Sequence, residues 1–420
     1  MPIPDNINFC SKVASLVKGD GELLSRKHWQ QRVIRVVTLL IAFSLGSSLM
    51  QAMVPAKKKK NRTVAAAKAL PVKKVALNLT TPRIASSARP GTAKKAVLTG
   101  PWRVPNFADS TEGDKIDGED LAVRRAAVDA LGRMNGAVVV SDPDTGRVLA
   151  MVNQKLALKS GFQPCSTIKV PVALAALSEN IVDRTTMIRV YGRTSFNLTT
   201  ALAKSNNQYF ASLGQKLGFE RVSYYAKLFG LGEKAGLDID GEQPGILPQT
   251  VPKSGMGMMT SFGDGISLTP LEYAALIGAV ANGGTLYYLQ HPKSQTEAEG
   301  MLPQVKRRLD IDEWIPEIKP GMMGAVEYGT ARRIGFDPNE PIYGKTGTCT
   351  DSRSPTHLGW FGSFTELGKN RLVVVVLLTG GNLVSGPTAS GIAGQVYKNL
   401  GVESYFAQTR PGPATASLSN

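Results

Sequence analysis

Histidine and cysteine are scarce in this chain of 420 residues: there are three of each, spread far apart. His28, His291 and His357 fall nowhere near one another or near Cys10, Cys165 and Cys349, so no metal-ligand spacing is present and no metal is expected. Three cysteines do not make a disulfide framework either. Acidic residues are almost missing from one region. Met1 to Pro105 holds 19 Lys plus Arg against 3 Asp plus Glu, a net +16, which equals the charge of the whole chain. The remaining residues therefore balance to zero, so the body needs no polyanionic partner, and nucleic acid is not expected.

What the amino-terminal quarter does contain is one long apolar run. Val36 to Val54 is uncharged and long enough to cross a bilayer core. It is preceded by 35 mostly polar residues, a preamble too long for a typical signal peptide, so an uncleaved anchor is expected, with Met1–Arg35 as a cytoplasmic tail. Residues 55–105 are rich in Lys, Ala and Pro with no sustained period and read as a basic linker. The folded domain is placed at 106–405 and a flexible tail at 406–420.

Within that domain, Leu121 to Met134 has the pattern of an amphipathic helix. Ala137–Ser141, the Pro143–Gly146 turn and Val148–Val152 read as a hairpin. Helical segments dominate from Ser166 to about Leu231, and Thr269-Pro270 opens another helix. Strand patterns return at Ile342–Cys349, Leu358–Phe364 and Leu372–Leu378, before a last helix near Gly391–Leu400. Two early strands and three late ones predict an α/β chain of the α+β type: one five-stranded antiparallel sheet flanked by helices, with an all-helical lobe inserted between its halves.

Three short stretches carry chemistry. In Pro164-Cys165-Ser166-Thr167-Ile168-Lys169, the serine and the lysine are three apart and share a helix face, so the amine lies within general-base reach of the hydroxyl. A lysine takes that proton only if burial or a neighbouring positive charge lowers its pKa. Ser205-Asn206-Asn207 presents a hydroxyl and a carboxamide. Tyr343-Gly344-Lys345-Thr346-Gly347-Thr348 reads as strand; its Gly344-Lys345-Thr346 is no P-loop, because the required earlier glycine is Asn339 and no helix follows.

Ser-x-x-Lys, Ser-x-Asn and Lys-Thr-Gly in that order resemble the motifs of penicillin-binding proteins and active-site serine β-lactamases. The similarity runs from about Leu121 to about Leu400 and includes Gly263-Asp264-Gly265, Ala281-Asn282-Gly283-Gly284, Gly329-Thr330-Ala331 and Trp360-Phe361-Gly362. The resemblance implies a D,D-transpeptidase that cross-links peptidoglycan stem peptides, with β-lactams as suicide ligands and the cell-wall synthesis machinery as a partner. It assigns Ser166 as nucleophile, Lys169 as base, Ser205 as proton relay and Lys345 as the charge beside them. Asn207, Thr346, Gly347 and Thr348 would bind substrate, and the backbone N–H groups of Ser166 and Thr348 would form the oxyanion hole. No cofactor is implied. The implied location is the inner membrane, single-pass, with the catalytic domain on the extracytoplasmic side.

Lys169-Val170-Pro171 also looks like class D β-lactamases and β-lactam sensor domains, which leaves a D,D-carboxypeptidase, a β-lactamase, a sensor or a division scaffold as alternatives. Against class D stand Asn207 in the second motif and the absence of tryptophan between Trp102 and Trp314. The interval of 39 residues from Ser166 to Ser205 predicts a trimmed helical lobe, and the short stretch before the first strand leaves no room for a pedestal domain. Cys165 and Cys349 flank the first and third motifs; two buried thiols are expected there, with a disulfide as the alternative.

Overall fold

The computed structural model describes residues 100–366 and 370–407, which lie in one compact unit spanning Gly91–Asn420. The expected tail and span, the linker up to residue 99 and the last residues from 408 lie outside the described residues. Among the described residues no helix is long and apolar enough to cross a membrane.

Helix α1 (Leu121–Leu131) starts at Asp120, whose carboxylate accepts from the N–H groups of Ala122 and Val123, and stops at Gly132, where φ is 55°. That glycine ends the helix three residues before the amphipathic pattern does. Strands β1 (Gly136–Ser141) and β2 (Val148–Val152) form the expected hairpin. Its turn is fixed by Asp142, whose side chain accepts from Asp144 N, and by Gly146 at φ 75°. A short helix α2 (Gln154–Ala157) leads to a 3₁₀ turn, Cys165–Ile168, and then to α3 (Lys169–Ser178).

The inserted lobe contains the small hairpin β3 (Ile188–Tyr191) and β4 (Thr194–Phe196), α4 (Leu198–Ala203), α5 (Asn207–Leu228) and α6 (Met256–Phe262). It is therefore not wholly helical, as the sequence pattern suggests; the two strands are too short to show an alternation. Helix α7 (Pro270–Ala281) follows, then β5 (Thr285–Tyr287), α8 (Gln295–Gly300), β6 (Val305–Arg308) and α9 (Ile315–Glu327). Strands β7 (Ile342–Thr350), β8 (His357–Thr365) and β9 (Val373–Gly380) and helix α10 (Gly386–Val402) complete the domain.

The main sheet runs β2-β1-β9-β8-β7, every pairing antiparallel. Its centre joins the two ends of the domain, with Val138 opposite Val376. Both faces are covered, which is why β1 and β9 read as nearly unbroken valine runs. Ala137, Val139, Val375 and Leu377 pack into one core with Leu174 of α3 and Leu271 of α7. Val138, Val140, Val374 and Val376 pack into the other with Val123 of α1 and Val396 of α10. The start of α7 is fixed by a capping box: Thr269 and Glu272 each bond the other's backbone N–H, and the same carboxylate accepts from Gly232 N and Gly245 N. Strand β7 is left at the sheet edge, beside the turn that carries Ser166.

Candidate active site

The serine turn is held from three sides. Gln163 ties it down: its carbonyl accepts from the Trp360 indole at 2.9 Å, its Nε2 donates to Phe262 O at 3.1 Å, and its Oε1 accepts from Ser352 N at 3.0 Å. Pro164 O accepts from Thr167 Oγ1 at 2.7 Å and from Thr167 N at 3.2 Å. Gly347 lets β7 come close, since a Cβ there would lie 2.9 Å from Pro164 O. Cys165 occupies the left-handed region at φ 52°, rare for a residue with a side chain.

Ser166 and Lys169 stand one turn apart. Lys169 Nζ lies 2.8 Å from Ser166 Oγ, 2.9 Å from Ser205 O, 3.1 Å from Ser205 Oγ and 2.7 Å from Asn207 Oδ1. Ser205 is presented by a backbone kink, φ 55°, at the end of α4; Asn206 then caps α5 by accepting from Tyr209 N, which puts Asn207 in the first helical position. From the other side Lys345 Nζ donates to Ser205 Oγ at 2.8 Å and to Thr346 O at 2.9 Å. Ser166, Ser205 and Asn207 thus meet around the Lys169 amine, and Lys345 joins them through Ser205.

Electrostatics decides what the cluster can do. Both lysines are fully buried, and among the described residues neither forms an ion pair with a carboxylate. Burial lowers Lys169 well below the ordinary lysine range, and the charge of Lys345 lowers it further. Burial alone pushes Lys345 down to about 7. A neutral amine has two hydrogens and one lone pair. In its neutral form Lys169 can give its two hydrogens to the acceptors Ser205 O and Asn207 Oδ1, and its lone pair is then within reach of the hydroxyls of Ser166 and Ser205. That is the geometry for removing a proton from a hydroxyl, hence for serine acyl transfer.

The threonines of the third motif have partners of their own. Thr346 Oγ1 lies 2.5 Å from Thr330 Oγ1, and Thr348 Oγ1 accepts from Gly386 N at 2.7 Å. Thr330 belongs to the Gly329-Thr330-Ala331 stretch, visible in the sequence but without a role there. Gln163 gives no signal in the sequence at all. The expectation of two free thiols is corrected: Cys165 and Cys349 are joined in a disulfide, with Cα atoms 5.5 Å apart across 184 residues. Sequence gives no distance between such remote positions, whereas a turn packed on an edge strand brings them within bonding range.

The five-stranded sheet, the inserted lobe and the serine–lysine cluster at its edge together define the class of protein. The chain belongs to the penicillin binding protein transpeptidase domain family, whose pattern matches residues 136–400. It is similar to Stage V sporulation protein D of Bacillus subtilis, 29% identical over 293 residues, covering 60% of this chain and 45% of that one. It is also similar to the peptidoglycan D,D-transpeptidase MrdA of Haemophilus influenzae, 25% identical over 352 residues, covering 64% of this chain and 54% of that one. The chain spans about half the length of the curated relatives it matches. Among solved structures, Pseudomonas aeruginosa PBP2 in complex with WCK 5153 superposes with a TM-score of 0.57 at 24% identity, covering 71% of this chain and 80% of that one, a likeness of fold.

Proposed function

We propose that this chain is a peptidoglycan D,D-transpeptidase that works through a Ser166 acyl-enzyme. The observation that carries the reading is the buried Lys169 amine 2.8 Å from Ser166 Oγ, with no carboxylate paired to it among the described residues. Ser166 Oγ attacks the carbonyl between the two terminal D-alanines as its proton passes to Lys169. The developing oxyanion is met by the N–H groups of Ser166 and Thr348, donors each worth about 3 to 4 kcal/mol in such sites. Lys345 holds Ser205 in place, and as Ser205 hands its hydroxyl proton to the departing D-alanine amine it takes from Lys169 the proton that came from Ser166. An amine of a second stem peptide then attacks the acyl-enzyme and restores Ser166.

The substrate carboxylate finds its donors at the third motif. Thr348 Oγ1 is already an acceptor toward Gly386 N, so its own hydrogen is free to point at a carboxylate. Thr330 and Thr346 share one hydrogen between them and have the second to offer. Asn207 and Gly347 border the donor peptide. β-Lactams enter the same site as mimics of the dipeptide. The apolar run 36–54 would hold the catalytic body at the outer face of the cytoplasmic membrane, beside the cell-wall synthesis machinery.

The test uses the full chain with a labelled pentapeptide donor and a free amine acceptor. Transpeptidation predicts D-alanine release matched by an amide product that is lost in Ser166→Ala. D-alanine release matched instead by hydrolysed tetrapeptide would replace this reading with carboxypeptidase action.

A further inference from the structure

The disulfide joins two positions whose neighbours matter more than the cysteines do. Cys165 immediately precedes Ser166, and Cys349 immediately follows Thr348. In the acyl-transfer reading, on which this inference rests, Ser166 and Thr348 supply the two N–H donors of the oxyanion hole. One donor sits on a turn continuous with the buried α3; the other sits on β7, the edge of the sheet. Nothing in an antiparallel sheet fixes its outermost strand on the open side, so the separation of the two donors depends on what bridges turn and edge. Gly347 packed against Pro164 supplies contact. The sulfur–sulfur bond supplies the covalent link.

We propose that Cys165 and Cys349 are positioning residues: their bond sets the spacing of the two oxyanion donors, so that full acylation competence requires the oxidised pair. A dithiol reductant gives two electrons and two protons to the pair, leaving two thiols and becoming a disulfide itself. The two sulfurs must then retreat to non-bonded contact, about 3.5 to 4 Å for heavy atoms. Cys165 is wholly enclosed and already in the left-handed region, so its side chain has little space to swing aside. Cys349 is only partly buried, so the retreat falls on the β7 side, on that side chain and the strand that carries it. Misplacement by about 1 Å in such sites costs on the order of 100-fold in rate. The fold outlasts the bond, because Gln163 still pins the turn to Trp360, Phe262 and Ser352. Competence is thereby coupled to an oxidising compartment.

The experiment follows acylation of the full chain by a fluorescent penicillin, before and after dithiothreitol, beside Cys349→Ser and Ser166→Ala. Reduction is expected to lower the acylation rate constant about 10-fold or more, while reversible binding before acylation and the final labelled fraction stay unchanged; reoxidation restores the rate. Cys349→Ser is expected to show the slow rate with and without reductant, which separates the pair from Cys10. Reduced protein that acylates within twofold of the oxidised rate overturns the proposal. A labelled fraction that falls on reduction also overturns it, since the bond would then serve folding. Labelling of Ser166→Ala would instead remove the reading of Ser166 itself.

Discussion

Gly347→Ala puts the closeness of β7 and the serine turn to a quantitative test. The added Cβ would meet Pro164 O at 2.9 Å, Thr167 Cγ2 at 3.1 Å and Trp360 Cβ at 3.2 Å. A carbon needs about 3.3 Å from an oxygen and about 3.5 Å from another carbon, so β7 must back away by roughly half an ångström. Pro164 O has no freedom to give, because it accepts from both Thr167 N and Thr167 Oγ1. Overpacking of this size destabilises by about 1 to 3 kcal/mol. The larger effect falls on rate. With about 100-fold per ångström of misplacement, acylation by a fluorescent penicillin is expected to slow about 10-fold. Gly401→Ala is the matched control: a Cβ there meets nothing within 4 Å, at the exposed end of α10. It is expected to leave the rate unchanged and to stabilise by up to about 1 kcal/mol. A Gly347→Ala protein acylated at the wild-type rate would refute the argument that this contact positions the strand.

Three further outcomes follow from the same geometry. Lys169→Arg, which installs a group that stays protonated, is expected to slow acylation by about 100- to 10,000-fold, the usual share of a general base; penicillin labelling kinetics read it. The lysines set the pH dependence: Lys169 loses its proton first, since burial and Lys345 both disfavour its charge, so acylation is expected to reach its maximum on the acid side of about 7 and to decline as Lys345 discharges through about 7. A profile that keeps rising toward the ordinary lysine value of 10.5 would contradict this. Finally, Glu272→Ala strands the N–H groups of Thr269, Gly232 and Gly245, and at about 1 to 3 kcal/mol per buried unpaired donor it is expected to cost at least about 3 kcal/mol in denaturant unfolding.

The sheet was legible because its strands are long enough to show a pattern: the valines of β1 and the runs of β7, β8 and β9 fall where the sequence places them. The five polar residues that gather about the Lys169 amine were legible as types in an order, through a resemblance that short local spacing alone does not carry. What stayed hidden depends on approach between distant segments. The Cys165–Cys349 bond, the Thr330–Thr346 hydroxyl pair and the three contacts of Gln163 all join segments whose separation in space the sequence does not encode locally. The left-handed backbone at Cys165 and Ser205 was equally invisible, since neither residue type favours it. Those two kinks set the placement of Ser166 and Ser205.

The central claim is that a neutral, buried Lys169 activates Ser166. It is tested most directly by mass spectrometry of the full chain after brief exposure to benzylpenicillin at neutral pH, with peptide mapping, beside Ser166→Ala and Lys169→Arg. The account predicts one penicilloyl adduct per chain on the peptide bearing Ser166, absent from Ser166→Ala and nearly absent from Lys169→Arg. An adduct on another residue, or one that forms as fast without the lysine, would contradict it.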